Sequence, residues 1–192
     1  IIQETPDIKT FRLKFKENIE FNFKSGQFVE VSVFGYGEVP IGLASSPTRK
    51  EFIEISVKKM GKVTTALHNL EVGDEIGIRG PYGKGWPFEE IFGKNILIVG
   101  GGIGLSPLRS LIENILDNRD KFGPMKILYG ARTPKDIVYK YLLKKWPENK
   151  DTEVFLTVDV ADSEWKDNVG VVTSLFEKAK IKPDNTVAIT CG

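Results

Sequence analysis

A lone cysteine, Cys191, and a lone histidine, His68, are what the sequence has least of. One thiol rules out a disulfide framework and any cysteine-ligated metal or iron–sulfur cluster within these 192 residues, and one imidazole leaves no histidine metal site. An excess charge of one sign is also missing. Lys plus Arg number 27 and Asp plus Glu 26, so no net field draws nucleic acid or an anionic membrane. No apolar run approaches the ~20 residues of a membrane-spanning helix, and the first residues do not read as a signal peptide. Low cysteine usage fits a reducing compartment, so a cytoplasmic protein with no membrane insertion is expected. What remains, 41% hydrophobic and 28% charged residues, is ordinary for a folded chain of one large or two small domains.

The two halves carry different periods. Residues 11–15, 28–33 and 53–58 alternate apolar and polar, a shorter pair at Ile76 and Ile78 precedes Gly80-Pro81, and turn residues separate the runs. Such spacing predicts an antiparallel barrel or sandwich, with one short helix around Val63 to Asn69. The character changes between Trp86 and Lys94, which sets expected domains of 1–90 and 94–192. Ile96-Leu97-Ile98-Val99 is a continuous apolar run, the mark of a strand buried on both faces. Leu108, Leu111, Ile112, Ile115 and Leu116 then form one helical stripe. Strands at 126–129, 154–158 and 186–190 alternate with helices at 137–146 and 172–180, which predicts a doubly wound parallel sheet. Ligands bind such sheets beyond the carboxyl ends of the strands.

Gly100-Gly101-Gly102-Ile103-Gly104-Leu105-Ser106-Pro107 lies where the first of these strands meets its helix. Glycines let backbone approach a pyrophosphate, the helix start offers free N–H groups, Ser106 is placed to cap it, and Pro107 suits the first turn. The spacing is tighter than G-x-G-x-x-G. A turn that merely needs glycine is the bland alternative, although four glycines in five residues exceed that need. Asp159, after the third strand, suits a ribose diol and favours NAD, whereas Arg132, after the second, suits a 2′-phosphate and NADP. A solvated loop charge is the alternative for both. NAD is the preferred expectation.

The ordered series Val39-Pro40-Ile41-Gly42-Leu43-Ala44-Ser45-Ser46-Pro47, Gly61-Lys62-Val63-Thr64-Thr65-Ala66-Leu67, Gly80-Pro81-Tyr82-Gly83, the glycine loop, Tyr129-Gly130-Ala131-Arg132, Thr157-Val158-Asp159 and Cys191-Gly192 resembles the ferredoxin–NADP reductase superfamily. The likeness covers nearly the whole chain. It is strongest to electron-transfer subunits of anaerobic enzymes: nickel–iron hydrogenase γ subunits, the anaerobic sulfite reductase B subunit and the dihydroorotate dehydrogenase electron-transfer subunit. It implies an N-terminal antiparallel Greek-key β-barrel holding FAD, a parallel α/β domain holding NAD(P), and a flavin ring at their junction. It further implies an FAD site from Pro40, Ile41, Gly42, Leu43, Ala44, Ser45, Ser56, Val57, Lys58, Gly61, Lys62, Val63 and Thr64. The matching NAD(P) site is Gly101, Gly102, Ile103, Gly104, Ser106, Pro107, Tyr129, Gly130, Ala131, Arg132, Asp159, Cys191 and Gly192. Cys191 would lie near the nicotinamide, with a small buried core residue as its plain alternative.

Where the family's flavin strand carries an arginine, an aromatic and a hydroxyl, this chain has Val39, Ile41 and Gly42, so Lys58 or Lys62 is the candidate for the missing charge. The expected activity is hydride transfer between nicotinamide C4 and flavin N5, with electrons passing to an iron–sulfur protein or a catalytic subunit of a larger redox complex. A flavin-free regulatory or scaffolding module with the same fold is the alternative. The sequence starts without methionine and stops just after a strand-like run, so it reads as a fragment. Four cysteines following Gly192 would indicate a [2Fe–2S] centre.

Overall fold

The computed structural model describes residues 1–17 and 19–192. The first half is antiparallel. β1 (Ile2–Thr5), β2 (Ile8–Leu13) and β5 (Ile53–Lys58) form a sheet in the order β1-β2-β5, and β3 (Phe28–Val33), β4 (Gly37–Gly42) and β6 (Gly77–Tyr82) form another in the order β4-β3-β6. A single antiparallel bridge, Leu43 to Ile55, joins the two. Alternation explains the packing. Val29, Val31 and Val33 turn inward to meet Phe11, Leu43, Ile55 and Leu67 of α1 (Lys62–His68), while Glu30 and Ser32 stay half-exposed. β5 breaks this rule. Ile53, Ile55 and Val57 enter the same core, yet Glu54 and Ser56 on the opposite face are only 2% and 5% exposed, because the second half of the chain covers them.

That second half is one parallel sheet of β7 (Asn95–Gly101), β8 (Met125–Ala131), β9 (Thr152–Val158), β10 (Asn168–Val169) and β11 (Thr186–Cys191), in the order β10-β9-β8-β7-β11. Ile96 and Ile98 pack with Leu108, Leu111, Ile112 and Ile115 of α2 (Leu105–Asp117). Leu97 and Leu128 pack on the other face with Leu175 and Ala179 of α4 (Leu175–Ala179). Both faces are thus covered, which is why the β7 sequence is apolar without alternation. The chain adds β8 on one side of β7 and β11 on the other. The strand order reverses there, and the crevice beyond the carboxyl end of β7 is the position where such sheets take ligands.

The architecture is the expected pairing of an antiparallel β domain with a parallel α/β domain; several elements differ in extent. The helix expected over 137–146 is only α3 (Lys140–Lys145), flanked by short turns at Pro134–Asp136 and Trp146–Glu148. Tyr139 interrupts it with φ of +54°, and Glu4 rather than a helical carbonyl takes its N–H. The helix expected over 172–180 shrinks to α4, stopped by Lys180 at φ +46°. β4 shows no period-two run, because Gly37, Pro40 and Gly42 are poor strand formers, and only the family resemblance pointed to a strand there. It survives as an edge strand, where Pro40 needs no ladder donor on its outer side.

Candidate functional site

β7 ends at Gly101, and Gly102–Gly104 make a single turn before α2. Gly102 holds φ of +50°, and a Cβ there would meet nothing within 4 Å, so backbone conformation rather than crowding demands glycine. Gly104 is the reverse case: a Cβ there would stand 2.4 Å from the Cys191 carbonyl oxygen. Ser106 does not cap α2. It sits inside the first turn, buried, while Gly104 occupies the capping position without a side chain. No side chain caps α2, and the amide of its first residue, Leu105, is met by the Gly102 and Ile103 carbonyls, so the helical start that faces outward is the glycine turn itself.

Gly101, Gly102 and Ile103 form one wall of a cleft of about 410 Å³. Gly130, Ala131 and Arg132 from the end of β8, Asp159 after β9, and Asp136, Val171 and Val172 complete the α/β side. Asp7, Ile8 and Lys58 close it from the antiparallel side. Five of these residues, Asp7, Ile8, Asp136, Val171 and Val172, escaped the sequence reading. Nothing local marks them; they are brought in by the contact between halves and by the turns around the strand ends.

The cleft's charges are partly spent on one another. Lys58 pairs with Asp7 at 3.5 Å and Arg132 with Asp136 at 3.1 Å. Partial burial of the Asp136 carboxyl is outweighed by hydrogen bonds from Thr133 and Arg132, which hold its pKa below the usual carboxylate range. Asp159 has no ion-pair partner among the described residues, which leaves the wall with one net negative charge.

The remaining NAD(P) candidates are not part of the cleft's lining. Tyr129 is buried, not lining: its hydroxyl donates to the Gly102 carbonyl at 3.0 Å and accepts from Val138 N–H at 3.3 Å, so it braces the glycine loop from below. Burial holds the phenol well above its ordinary pKa, so it stays protonated. Pro107 is half-buried in the first turn of α2 and faces Gly42. Cys191 is half-buried at the carboxyl end of β11, and with Gly192 it lies directly against Gly101 and Gly104.

The FAD candidates separate in the same way. Pro40, Ile41, Gly42, Gly61, Lys62 and Val63 are exposed or half-exposed. A Cβ on Gly61 would meet nothing within 4 Å, which leaves an open cradle at the start of α1. Thr64 is buried, and its hydroxyl accepts from the Met60 and Gly61 N–H groups at 2.9 Å each, which orders that cradle. Gly42 faces Pro107 across the junction, so the end of β4 meets the start of α2. Leu43, Ala44 and Val57 are sealed in the interior. Ser45 Oγ accepts from Glu54 N–H at 3.0 Å, and Ser56 Oγ is bonded to Thr10 and Tyr139. The Ser56 hydroxyl is thus engaged on both sides. Lys58 lines the cleft beside the glycine loop instead of the α1 cradle, so Lys62 is the cation beside that cradle, 5.9 Å from the ring centre of Tyr36. His68 is structural: its Nε2 bonds the Val57 carbonyl at 2.8 Å. Among the described residues no group of three or more His, Cys, Asp or Glu is arranged to hold a metal ion, and no helix is long and apolar enough to cross a membrane.

An open glycine loop at the point of strand reversal, faced across a cleft by an antiparallel β domain, defines a two-domain nucleotide-binding architecture of the flavin reductase type. Residues 2–86 match the family described as the oxidoreductase FAD-binding domain, and residues 98–192 match the oxidoreductase NAD-binding domain. The chain is 38% identical over 195 residues to sulfhydrogenase 1 subunit gamma of Pyrococcus furiosus, covering 100% of this chain and 66% of that protein. It is 38% identical over 200 residues to sulfhydrogenase 2 subunit gamma of the same organism, covering 96% and 68%. The chain thus spans about two thirds of the length of these relatives. The cytochrome b5 reductase domain of Ulva prolifera nitrate reductase shares the fold, with a TM-score of 0.78 at 21% identity, over 100% of this chain and 83% of that one. The protein belongs to the ferredoxin–NADP reductase-like superfamily of FAD- and NAD(P)-binding oxidoreductases.

Proposed function

We propose that this chain carries electrons between NAD(P)H and an iron–sulfur partner, as the flavin-bearing portion of a larger cytoplasmic redox complex. The observation that supports this most strongly is the shared cleft, in which the glycine loop and Lys58 of the antiparallel half face the same space. In this reading residues 1–90 are a closed Greek-key barrel for FAD, with the Leu43–Ile55 bridge as its point of closure, and residues 94–192 take the nicotinamide nucleotide. Pro40, Ile41 and Gly42 line the flavin ring, while Gly61, Lys62, Val63 and Thr64 hold its pyrophosphate. Gly101, Gly102 and Ile103 receive the nicotinamide nucleotide's pyrophosphate through backbone N–H groups, and Gly130, Ala131 and Arg132 flank it. A flavin bound there would supply the coupling between two-electron hydride chemistry and one-electron transfer.

The chain's own work is positioning and electrostatics. Asp159 accepts from the ribose diol, and the cleft's net negative charge disfavours a 2′-phosphate, which makes NADH the preferred coenzyme. Cys191 and Gly192 pack against Gly101 and Gly104 at the nicotinamide end. The absence of a nucleophile–base pair is no obstacle, because hydride transfer between stacked rings needs proximity more than proton transfer. The γ-subunit names of the two relatives support a partner that is a catalytic or iron–sulfur subunit.

A second reading, a flavin-free nucleotide-binding subunit, is favoured by one observation: Val39 and Ile41 pack toward the antiparallel core and supply neither the charge nor the aromatic expected beside a flavin. Visible absorption of the purified protein separates the two. A yellow protein bleached anaerobically by NADH supports the reductase. A colourless one that takes up no added FAD refutes it.

A further inference from the structure

We propose that Tyr139 is a positioning residue, one that sets the spacing between the antiparallel half and the glycine loop and hence how closely the two nucleotides meet. The proposal rests on the functional reading above. It comes from a set of bonds that converge on one fully buried side chain.

Tyr139 holds φ of +54°, a region costly for any residue but glycine, and a costly conformation persists only where its surroundings dictate it. Its backbone N–H donates to Glu4 Oε2 of β1 at 2.9 Å. Its hydroxyl is 2.5 Å from Ser56 Oγ of β5, which is 2.7 Å from Thr10 Oγ1 of β2, which donates to Glu4 Oε1 at 2.9 Å. The ring of bonds thus touches every strand of the β1-β2-β5 sheet and returns to its origin. Proton direction follows from the ends. Glu4 only accepts, so Thr10 donates to it, Ser56 to Thr10, and Tyr139 to Ser56. The Arg109 guanidinium sits 4.8 Å from the centre of the tyrosine ring and bonds Glu54, two residues before Ser56 on the same face of β5.

On the other side the chain of contacts runs straight to the ligand loop. Val138, the preceding residue, gives its N–H to Tyr129 Oη, and that hydroxyl donates to the Gly102 carbonyl. Lys58 ends the β5 face that carries Glu54 and Ser56, and it lines the dinucleotide cleft. Tyr139 is therefore the point where the strand that delivers Lys58 and the turn that presents Gly102 are referred to one another. A core filler would need only the ring. The hydroxyl and the left-handed backbone serve the contact with the other half.

The test compares Tyr139→Phe, which keeps the ring and its contact with Arg109, with Ser56→Ala, which removes the same bond from the other side, and with the double variant. In flavin-loaded protein mixed with NADH, the single-turnover rate of flavin reduction falls about tenfold or more in each single variant and no further in the double. The NADH dissociation constant moves by less than about threefold, which separates spacing from binding. In protein without added nucleotide, hydrogen exchange accelerates together over residues 54–58 and 100–104. Acceleration confined to 134–145, an unchanged reduction rate in well-folded variants, or losses that add in the double variant would each overturn the proposal. If Tyr139→Phe folds poorly, Ser56→Ala decides alone. A parent chain that takes up no flavin would sink the functional reading instead, while the exchange measurement still decides the coupling.

Discussion

Replacing Gly104 with alanine introduces a single methyl group at the tightest point of the molecule. The new Cβ would stand 2.4 Å from the Cys191 carbonyl oxygen, 2.6 Å from its carbonyl carbon and 2.6 Å from the Gly192 Cα. All three are backbone atoms, so no side chain can swing aside; the end of β11 and the glycine loop must part by roughly 0.6 Å or more. Overpacking of this kind costs about 1–3 kcal/mol. The same displacement moves the loop amides, and a shift approaching ~1 Å at a positioned site costs up to about 100-fold in rate. Gly101→Ala is the matched control. Its Cβ would find only the Gly192 Cα, at an ordinary 3.6 Å, and the backbone there is extended. Urea unfolding and NADH titration of both variants give the comparison. Gly104→Ala should lose stability and NADH-dependent reduction together, whereas Gly101→Ala should keep its stability. A Gly104→Ala protein as stable and active as the parent, or a Gly101→Ala protein equally destabilised, would refute the packing account of why Gly104 is glycine.

Three further outcomes follow from the same contacts. Glu54→Gln leaves the buried Arg109 guanidinium, bonded to Glu54 at 2.5 Å, without its nearest full charge, and should cost about 3–5 kcal/mol in urea unfolding; a loss below about 1 kcal/mol would mean that Glu113 alone neutralises it. Asp159→Ser removes the one unpaired carboxylate of the cleft and should raise the NADPH-to-NADH ratio of kcat/KM by about tenfold; an unchanged ratio would remove Asp159 from the coenzyme site. Trp86 buries its indole N–H with no partner among the described residues, so Trp86→Phe should stay within about 1 kcal/mol of the parent, since removing an unmet donor offsets the lost volume. A loss of more than about 3 kcal/mol would show that the N–H is satisfied after all.

Much of the architecture was legible because the physics that made it is local. Continuous apolar residues at 96–99, the α2 stripe and the period-two run of β3 each have one burial solution, and the structure adopts it. Helix ends were less legible. The expected 137–146 helix failed at Tyr139, whose N–H goes to Glu4, 135 positions away, and no window around residue 139 could have anticipated that partner. The glycine loop was readable as a ligand loop, but the roles within it were not. Gly102 is there for its positive φ, Gly104 for the closeness of Cys191, and Ser106 for the interior rather than for a cap.

The most instructive element is β5, where Ile53-Glu54-Ile55-Ser56-Val57-Lys58 alternates as cleanly as any half-buried strand. Alternation alone assigns Glu54, Ser56 and Lys58 to solvent or to a cofactor. A polar face can also be a docking face, provided each group finds a partner, because an unpaired buried polar group costs more than the contact returns. Here each does: Glu54 meets Arg109 and Arg12, Ser56 meets Tyr139 and Thr10, and Lys58 meets Asp7 at the edge of the cleft. Arg109 comes from α2 and Tyr139 from the turn before α3, while Arg12 and Thr10 belong to β2 and Asp7 to the turn between β1 and β2, so the first two appear only once the domains are assembled. A two-domain reductase has to hold one nucleotide on each half at a fixed separation, and apolar packing alone permits sliding. Directional bonds along one strand face do not, and that is why the polar residues of β5 lie at the junction rather than in water.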